Sequence, residues 1–168
     1  MTISADDAAR TRTFSWDDPA ITLAAARGRT GLELMQALAQ GEFPPPPSTQ
    51  TRGFALASVE AGRVVFELEP GEHLYNPIGS VHGGAYATLL DSACGCAVHS
   101  MLPEGVGYTS LDLSVKFLGA IRSDTGTVSC TGRVTHLGSR TALAEATLTS
   151  QDGRLLATAT SSCLILRP

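Results

Sequence analysis

The sequence is poor in charged side chains, and lysine is almost absent from it. Asp, Glu, Lys and Arg make up 17% of the 168 residues, the formal net charge is −4, and Lys116 is the single lysine. Nucleic-acid binding needs clustered Lys and Arg to neutralise phosphates, so we expect no such partner. The low charge suits a surface partly covered by another subunit, although a surface rich in Ala and Thr explains it equally well.

Long apolar runs and a secretory leader are also missing. No run reaches the roughly 18 residues of a membrane span without a charge or a glycine. Residues 1–20 are polar and acidic, without the apolar core of a signal peptide. The four cysteines fit neither a zinc knuckle nor a CxxC pair, and we expect them to be reduced thiols. These absences predict a cytoplasmic protein with no membrane partner.

Motifs for metals and nucleotide cofactors are absent as well. The four histidines are scattered, and no HxH, HExxH or paired-carboxylate spacing occurs. No GxGxxG follows a strand-like run, and there is no P-loop. The sequence therefore predicts neither a metal site nor a resident cofactor.

The composition divides the chain into an N-terminal extension, 1–50, and a domain, 51–168. Within the extension we predict a flexible lead-in over 1–19 and a helix within 20–40, where apolar residues recur at helical spacing. Gly41 is a stop signal, and the prolines from Pro44 to Pro47 form a stiff spacer that cannot continue a helix.

The domain reads as a hairpin, one long helix and four further strands. Ala61-Gly62 is the hairpin turn between two short strands, and the long helix covers 83–101. The remaining predicted strands cover 106–118, 124–137, 140–150 and 154–166. A helix that is apolar nearly all round must be enclosed, so we predict an α+β fold with an antiparallel sheet curved around it.

One predicted strand, 106–118, alternates between two kinds of side chain. The residues predicted to face the packed side are Leu111, Leu113, Val115 and Phe117. Those predicted to face water are Asp112, Ser114 and Lys116. This pattern indicates a sheet with one buried and one wet face.

Asp91 is a lone carboxylate within the predicted long helix. Burying an unpaired charge costs several kcal/mol, so a chain that keeps a carboxylate there is expected to use it. Gly83 and Gly84 lie where the helix begins, and the first amides of a helix have no internal partner. A ligand oxygen can approach such amides closely, as the oxyanion of acyl transfer would.

Asp91 and Gly83 are too far apart to serve one reaction within one chain. Eight residues at 1.5 Å rise place them roughly 12 Å apart along the helix. If both act on one reacting group, the site must combine Asp91 of one subunit with Gly83 of another.

Several motifs resemble the hotdog-fold acyl-CoA thioesterases, specifically the PaaI-like (phenylacetate-pathway) branch of the 4-hydroxybenzoyl-CoA thioesterase (4HBT) superfamily. The resemblance covers about residues 30–166 and implies a hotdog fold with an N-terminal helical extension. The residues that carry it are Asn76-Pro77-x-Gly79-x-Val81-His82-Gly83-Gly84, Leu89-Leu90-Asp91-Ser92-Ala93, Gly107-Tyr108-Thr109-Ser110-Leu111-Asp112-Leu113 and His136-x-Gly138-Ser139-Arg140.

The resemblance implies a role for each site residue. The Gly83 N–H would polarise the thioester carbonyl, and Asp91 would be the nucleophile or the general base toward water. Asn76 and His82 would orient the thioester or the water, His82 either as a loop-ordering group or directly. Ser110 would help to place the water, with Thr109 as the alternative if the strand register is shifted by one.

Contacts with coenzyme A and with further subunits are also implied. The residues expected to bind the substrate or its coenzyme A moiety are Gly84, Ser92, Thr109, Gly138, Ser139 and Arg140. A planar guanidinium can form two parallel hydrogen bonds with a phosphate group, which supports Arg140 as a contact of the coenzyme A phosphates. Coenzyme A is part of the substrate and not a cofactor. The expected partner is a second copy of the chain, in a homodimer or homotetramer.

The resemblance predicts a hydrolase that converts an acyl-CoA thioester to a free acid and coenzyme A. One alternative is a hotdog hydratase or dehydratase, which the asparagine–HGG–aspartate pattern disfavours. The other is a non-catalytic acyl-CoA or small-ligand binding protein, which gains nothing from a buried carboxylate. Aromatic, medium-chain and short branched acyl groups all stay open.

Overall fold

A computed structural model describes residues 10–168, so the first nine residues of the predicted lead-in lie outside the described residues. Seven antiparallel strands form a single sheet. The strands are β1 Phe54–Glu60, β2 Arg63–Leu68, β3 Gly107–Ser110, β4 Ser114–Phe117, β5 Val128–Leu137, β6 Thr141–Ser150 and β7 Leu155–Leu166. Their order is β1-β2-β5-β6-β7-β3, and β4 also pairs with β7.

The helices are α1 Pro19–Ala25, α2 Gly31–Ala39, α3 Pro47–Arg52 and α4 Gly83–His99, with a 3₁₀ turn at Glu72–Leu74. The long helix α4 packs against strands β2, β3, β5, β6 and β7. Leu89, Leu90, Ala93, Cys94 and Val98 are fully buried between helix and sheet. The predicted α+β arrangement of one long helix enclosed by an antiparallel sheet is confirmed.

A glycine allows α4 to approach the sheet closely. A Cβ placed on Gly132 of β5 would overlap the carbonyl oxygen of Ala93 in α4. Only glycine leaves room for this contact between the backbones of helix and strand. The contact holds the middle of α4, where Asp91 lies, at a set height above the sheet.

The predicted strand 106–118 is two strands with a break between them. At the break the Asp112 carboxylate accepts hydrogen bonds from the Ser162 N–H (2.9 Å) and hydroxyl (2.7 Å), and the Asp112 carbonyl accepts one from Ser161 (2.7 Å). The alternation therefore does not run through the segment. Leu113 and Val115 pack against the core, whereas Leu111 and Phe117 are each 57% exposed, so the prediction of one packed face is wrong for these two.

The predicted helix within 20–40 is two helices, α1 and α2, separated by a turn in which Gly28 has a φ of 74°. Thr30 caps α2 through a capping box with Glu33, and Gly41 (φ 74°) follows its end, as predicted. The Gly31 N–H donates to the Leu102 carbonyl (2.9 Å), which ties α2 to the segment after α4.

The proline run is a spacer only in part. Pro46 precedes and Pro47 opens the short helix α3, where a missing N–H costs nothing. Helix α3 runs across residues 50 and 51, and the division of the chain at that point stays a prediction.

Candidate active site

The start of α4 leaves one amide available to a ligand. His82 is the N-cap, and its Nδ1 accepts a hydrogen bond from the Gly84 N–H (2.8 Å), while the His82 N–H donates to the Leu74 carbonyl (2.8 Å). The Gly83 N–H has no hydrogen-bond partner within residues 10–168. The geometry favours His82 as a loop-ordering group, and it leaves Gly83, at the positive end of the helix dipole, as the free donor.

Asn76 shapes the loop that precedes α4. Its Oδ1 accepts from the N–H groups of Ile78 (3.0 Å) and Ser80 (3.5 Å), and its Nδ2 donates to the Ser80 hydroxyl (3.3 Å). The loop is closed by hydrogen bonds from the Asn76 N–H to the Ser80 carbonyl (2.8 Å) and from the Val81 N–H to the Ile121 carbonyl (2.9 Å). These bonds hold the loop against the start of α4.

A cavity of about 410 Å³ opens beside the free amide. It lies between the loop before α4, the first turn of α4 and the segment that follows β4. Its lining residues are Asn76, Ser80, Val81, Gly83, Tyr86, Phe117, Leu118, Gly119 and Ala120. The cavity thus brings together Asn76 and Gly83 of the predicted site, and its lining is polar and apolar in about equal parts.

Asp91 lies two turns further along α4 and is only half-buried. The expectation of an enclosed carboxylate is therefore wrong for a single chain, because the sheet covers α4 on one side and leaves the face with Thr88, Asp91 and Ser92 partly open. The Ser110 hydroxyl donates to Asp91 Oδ1 (3.0 Å). This contact joins β3 to the carboxylate and orients it.

The strand register separates Ser110 from Thr109. Ser110 pairs with Cys163, which pairs with Ala142, and both partners are fully buried toward α4. Thr109 pairs with Leu164 and so points to the opposite face of the sheet. Of the two residues that the sequence left open, Ser110 is the one that contacts Asp91.

One chain holds Gly83 and Asp91 apart. Both belong to a single helix of 17 residues, and the cavity at Gly83 does not include Asp91. The eight-residue spacing corresponds to about 12 Å along the helix axis. Each chain therefore presents two separate groups on α4, an amide donor at Gly83 and an oriented carboxylate at Asp91.

The predicted coenzyme A contacts lie elsewhere in the chain. Gly138, Ser139 and Arg140 form the turn between β5 and β6, where the Gly138 N–H donates to the Thr141 carbonyl (2.8 Å). The exposed Arg140 guanidinium has no hydrogen bond or ion pair with the described part of the chain. Ser92 donates its hydroxyl to the Thr88 carbonyl (2.9 Å), one turn back on α4. A single chain does not bring the turn into the cavity at Gly83.

Other titratable groups near α4 are unsuited to nucleophilic work. Burial raises the pKa of the Cys94 thiol to about 12 and also raises the pKa of Cys130, so both stay protonated near neutral pH. Burial lowers the pKa of His99 and keeps it neutral. Within residues 10–168 no group of three or more His, Cys, Asp and Glu side chains could hold a metal ion.

The sequence did not indicate Phe117 as a site residue, and for Tyr86 it left open a place in an acyl pocket while favouring core packing. Tyr86 is buried, and its hydroxyl accepts from the Ile121 N–H (2.7 Å) and donates to the Gly119 carbonyl (3.0 Å), but its ring also lines the cavity. Phe117 lines the cavity although its place in the alternation predicted core packing. The only sequence signal was a large apolar residue at a strand end, just before Gly119.

None of the described helices is sufficiently long and apolar to span a lipid bilayer.

A phenylacetic acid degradation-related protein of Ralstonia eutropha superposes on the chain with a TM-score of 0.70 and 28% identity, over 77% of this chain and 98% of that one. The smu.793 protein of Streptococcus mutans, solved with bound acetyl-CoA, superposes with a TM-score of 0.62 and 29% identity, over 68% and 91% of the two chains.

Sequence comparison agrees with the likeness of fold. The family model described as the thioesterase superfamily matches residues 78–157, which include Gly83, Asp91 and Ser110. The 1,4-dihydroxy-2-naphthoyl-CoA hydrolase of Listeria monocytogenes is 30% identical over 108 residues, covering 64% of this chain and 85% of that protein. The chain belongs to the thioesterase superfamily, as the resemblance predicted, and it is a thioester hydrolase with the hotdog fold.

Proposed function

We propose that the protein hydrolyses an acyl-CoA thioester to a free carboxylic acid and coenzyme A, within the PaaI-like branch and in the cytoplasm. The observation that carries the proposal is the half-exposed Asp91 carboxylate, which Ser110 orients at 3.0 Å. The names of the similar proteins from Listeria and Streptococcus support coenzyme A esters as substrates.

In this mechanism the Gly83 N–H donates a hydrogen bond to the thioester carbonyl oxygen. The bond strengthens as that oxygen becomes an oxyanion in the tetrahedral intermediate, and the dipole of α4 adds to it. Asn76 keeps the loop beside Gly83 in place, and His82 holds the first turn of α4 through the Gly84 amide.

Asp91 has two roles open to it, and Ser110 supports both. As a general base it takes a proton from water, whose oxygen attacks the carbonyl carbon while the sulfur leaves as the thiolate. As a nucleophile it attacks the carbon itself, and water then hydrolyses the resulting anhydride. In either route the thiolate is protonated, and the products are the acid and coenzyme A.

We further propose that the site is shared between two copies of the chain, in a homodimer or in a homotetramer built from such dimers. Gly83 of one copy then faces Asp91 of the other, which removes the separation of about 12 Å within a single helix. The partly open face of α4, which carries Asp91, and the exposed side chains of Leu111 and Leu118 are surfaces that a second copy would cover.

Other residues bind the parts of the substrate that lie away from the thioester. The unpaired guanidinium of Arg140, with Gly138 and Ser139 in the same turn, binds phosphate groups of coenzyme A. Gly84 and Ser92 border the thioester, and no resident cofactor takes part. Because the Listeria relative is named for a naphthoyl ester, an aromatic acyl group is the first to test.

The deciding experiment replaces Asp91 with asparagine. Asp91→Asn keeps the shape and the hydrogen bond from Ser110 but removes both the basicity and the charge. We expect thiol release from a panel of aromatic, medium-chain and branched acyl-CoA esters to fall by a factor of about 10³. Coenzyme A binding, followed by calorimetry, should survive.

Glu67→Gln serves as the matched control, since Glu67 is an exposed carboxylate on β2. Hydrolysis by Asp91→Asn at the wild-type rate would refute the assignment. Tight binding of the esters without thiol release would favour the binding-protein alternative, and loss of water from a 3-hydroxyacyl-CoA would favour the hydratase or dehydratase.

A further inference from the structure

The ring of Phe117 lies directly beside the free amide of α4. A Cβ placed on Gly83 would be 3.2 Å from Phe117 Cζ, so the ring edge covers the space next to that glycine. The same ring meets Tyr86 edge-on, with the centroids 5.6 Å apart and an interplanar angle of 83°. Yet 57% of Phe117 is exposed. One edge of the large apolar Phe117 ring thus packs beside Gly83, and one face of the ring is open to solvent.

The side of the cavity formed by Tyr86 is fixed by hydrogen bonds, which the Phe117 side chain does not make. The Tyr86 hydroxyl is bonded to the backbone of Gly119 and Ile121, which fixes the ring that forms the floor. Polar side chains in the lining, apart from this occupied hydroxyl, come from Asn76 and Ser80. The side of the cavity formed by the Phe117 and Tyr86 rings is apolar, and an apolar wall beside an oxyanion donor suits the acyl part of a thioester better than its polar coenzyme A part.

We propose that Phe117 determines acyl specificity by limiting the bulk allowed next to the thioester carbonyl. A carbonyl bound at the Gly83 N–H places its neighbouring carbon against the free face of the Phe117 ring. Straight-chain and planar acyl groups gain contact with this face, whereas a branch on the neighbouring carbon collides with it. The inference rests on the proposed hydrolase function and adds a substrate class, straight-chain and planar acyl groups that carry no out-of-plane branch beside the carbonyl.

The test compares esters that differ only in branching, butyryl-CoA and isobutyryl-CoA, with Phe117→Ala and the milder Phe117→Leu. In Phe117→Ala we expect the ratio of kcat/KM for isobutyryl over butyryl to rise about tenfold. The change should come mainly from the two KM values, because the ring touches the acyl group and not the reacting atoms. Phe117→Leu should give an intermediate ratio.

Leu23→Ala is the control, since Leu23 is an exposed apolar residue of α1 outside the cavity, and its ratio should match the wild type. A second readout combines Gly83→Ala with Phe117→Ala. The new methyl group meets the ring only when Phe117 is present, so Gly83→Ala should cost less activity in the Phe117→Ala background.

The outcomes separate the two proposals. An active enzyme whose ratio is unchanged in both Phe117 variants overturns the role of Phe117 alone. A wild-type protein that releases no thiol from any ester overturns the hydrolase proposal and this one with it. A graded ratio together with a smaller cost of Gly83→Ala supports Phe117 as the wall of the acyl site.

Discussion

At the scale of single residues, the hydrogen bond from Ser110 to Asp91 decides between two neighbouring candidates. We expect Ser110→Ala to lower kcat about tenfold, because the carboxylate loses a charge-assisted bond that orients it. Thr109→Ala should have a smaller effect, since Thr109 points to the other face of the sheet. Steady-state thiol-release kinetics on both variants measure the difference, and a larger loss in Thr109→Ala would contradict this register.

The candidate residues themselves were predictable to different degrees. Gly83 and Asp91 stand out because a glycine at a helix start and a charge in an apolar helix are both visible in a linear sequence. Phe117 was not predictable as a site residue, although the alternation places it on the same face of β4 as Val115, because it is the last residue of that strand and lies beside the start of α4, where it meets Tyr86 and Gly83. A period of two gives the face of a strand on which a residue lies, but not how much of that face the helix covers.

At the scale of elements, the contact between α4 and β5 determines the height of Asp91 above the sheet. We expect Gly132→Ala to destabilise the fold by about 3 kcal/mol, because the new methyl group overlaps the Ala93 carbonyl and the two elements cannot separate without opening the core. Equilibrium unfolding in urea measures the loss.

Gly107→Ala on β3 provides the comparison for Gly132→Ala. A Cβ placed on Gly107 would have the Leu166 Cβ as its nearest neighbour, at 3.9 Å, which is an ordinary van der Waals contact. Equal losses of stability in the two glycine variants would show that the close helix–strand approach is not the cause.

The elements were predicted well where local signals are strong. The long helix ends within two residues of its predicted bounds, and the first hairpin turns at Ala61-Gly62 as predicted, since a glycine pair marks the helix start and Ala61-Gly62 marks the turn. Helix α3 was missed because the proline run was read only as a helix breaker, although proline is favoured in a first turn. The break between α1 and α2 was missed as well, where Gly28 takes a positive φ.

At the scale of the whole molecule, a shared site can be tested by mixing two inactive chains. Gly83→Pro removes the amide donor at the first helical position, where the backbone tolerates proline, since His82 already has the extended backbone that precedes it (ψ 139°). Its Cβ, like that of Gly83→Ala, also presses on the exposed ring of Phe117. Asp91→Asn removes the carboxylate. Each variant alone should lose activity at least about a hundredfold.

After subunit exchange, a mixed dimer holds one intact site, made of Gly83 from one chain and Asp91 from the other. An equal mixture should therefore regain about a quarter of the wild-type activity, because half of the dimers are mixed and each has one working site. Differently tagged chains establish that exchange has occurred. A mixture that exchanges but stays inactive would show that the site does not form between two chains.

The sequence by itself determined the main elements, the family and the two groups at the centre of the proposed chemistry, because helix periodicity, turn residues and isolated charges are local properties of the chain. It also implied the distance between Gly83 and Asp91, since a helix has a set rise per residue. Only the tertiary structure decided that Ser110 and not Thr109 meets Asp91, that the Gly83 amide is the free one and that Phe117 stands beside it. These relations depend on strand register and on contacts between distant segments, which no local pattern encodes.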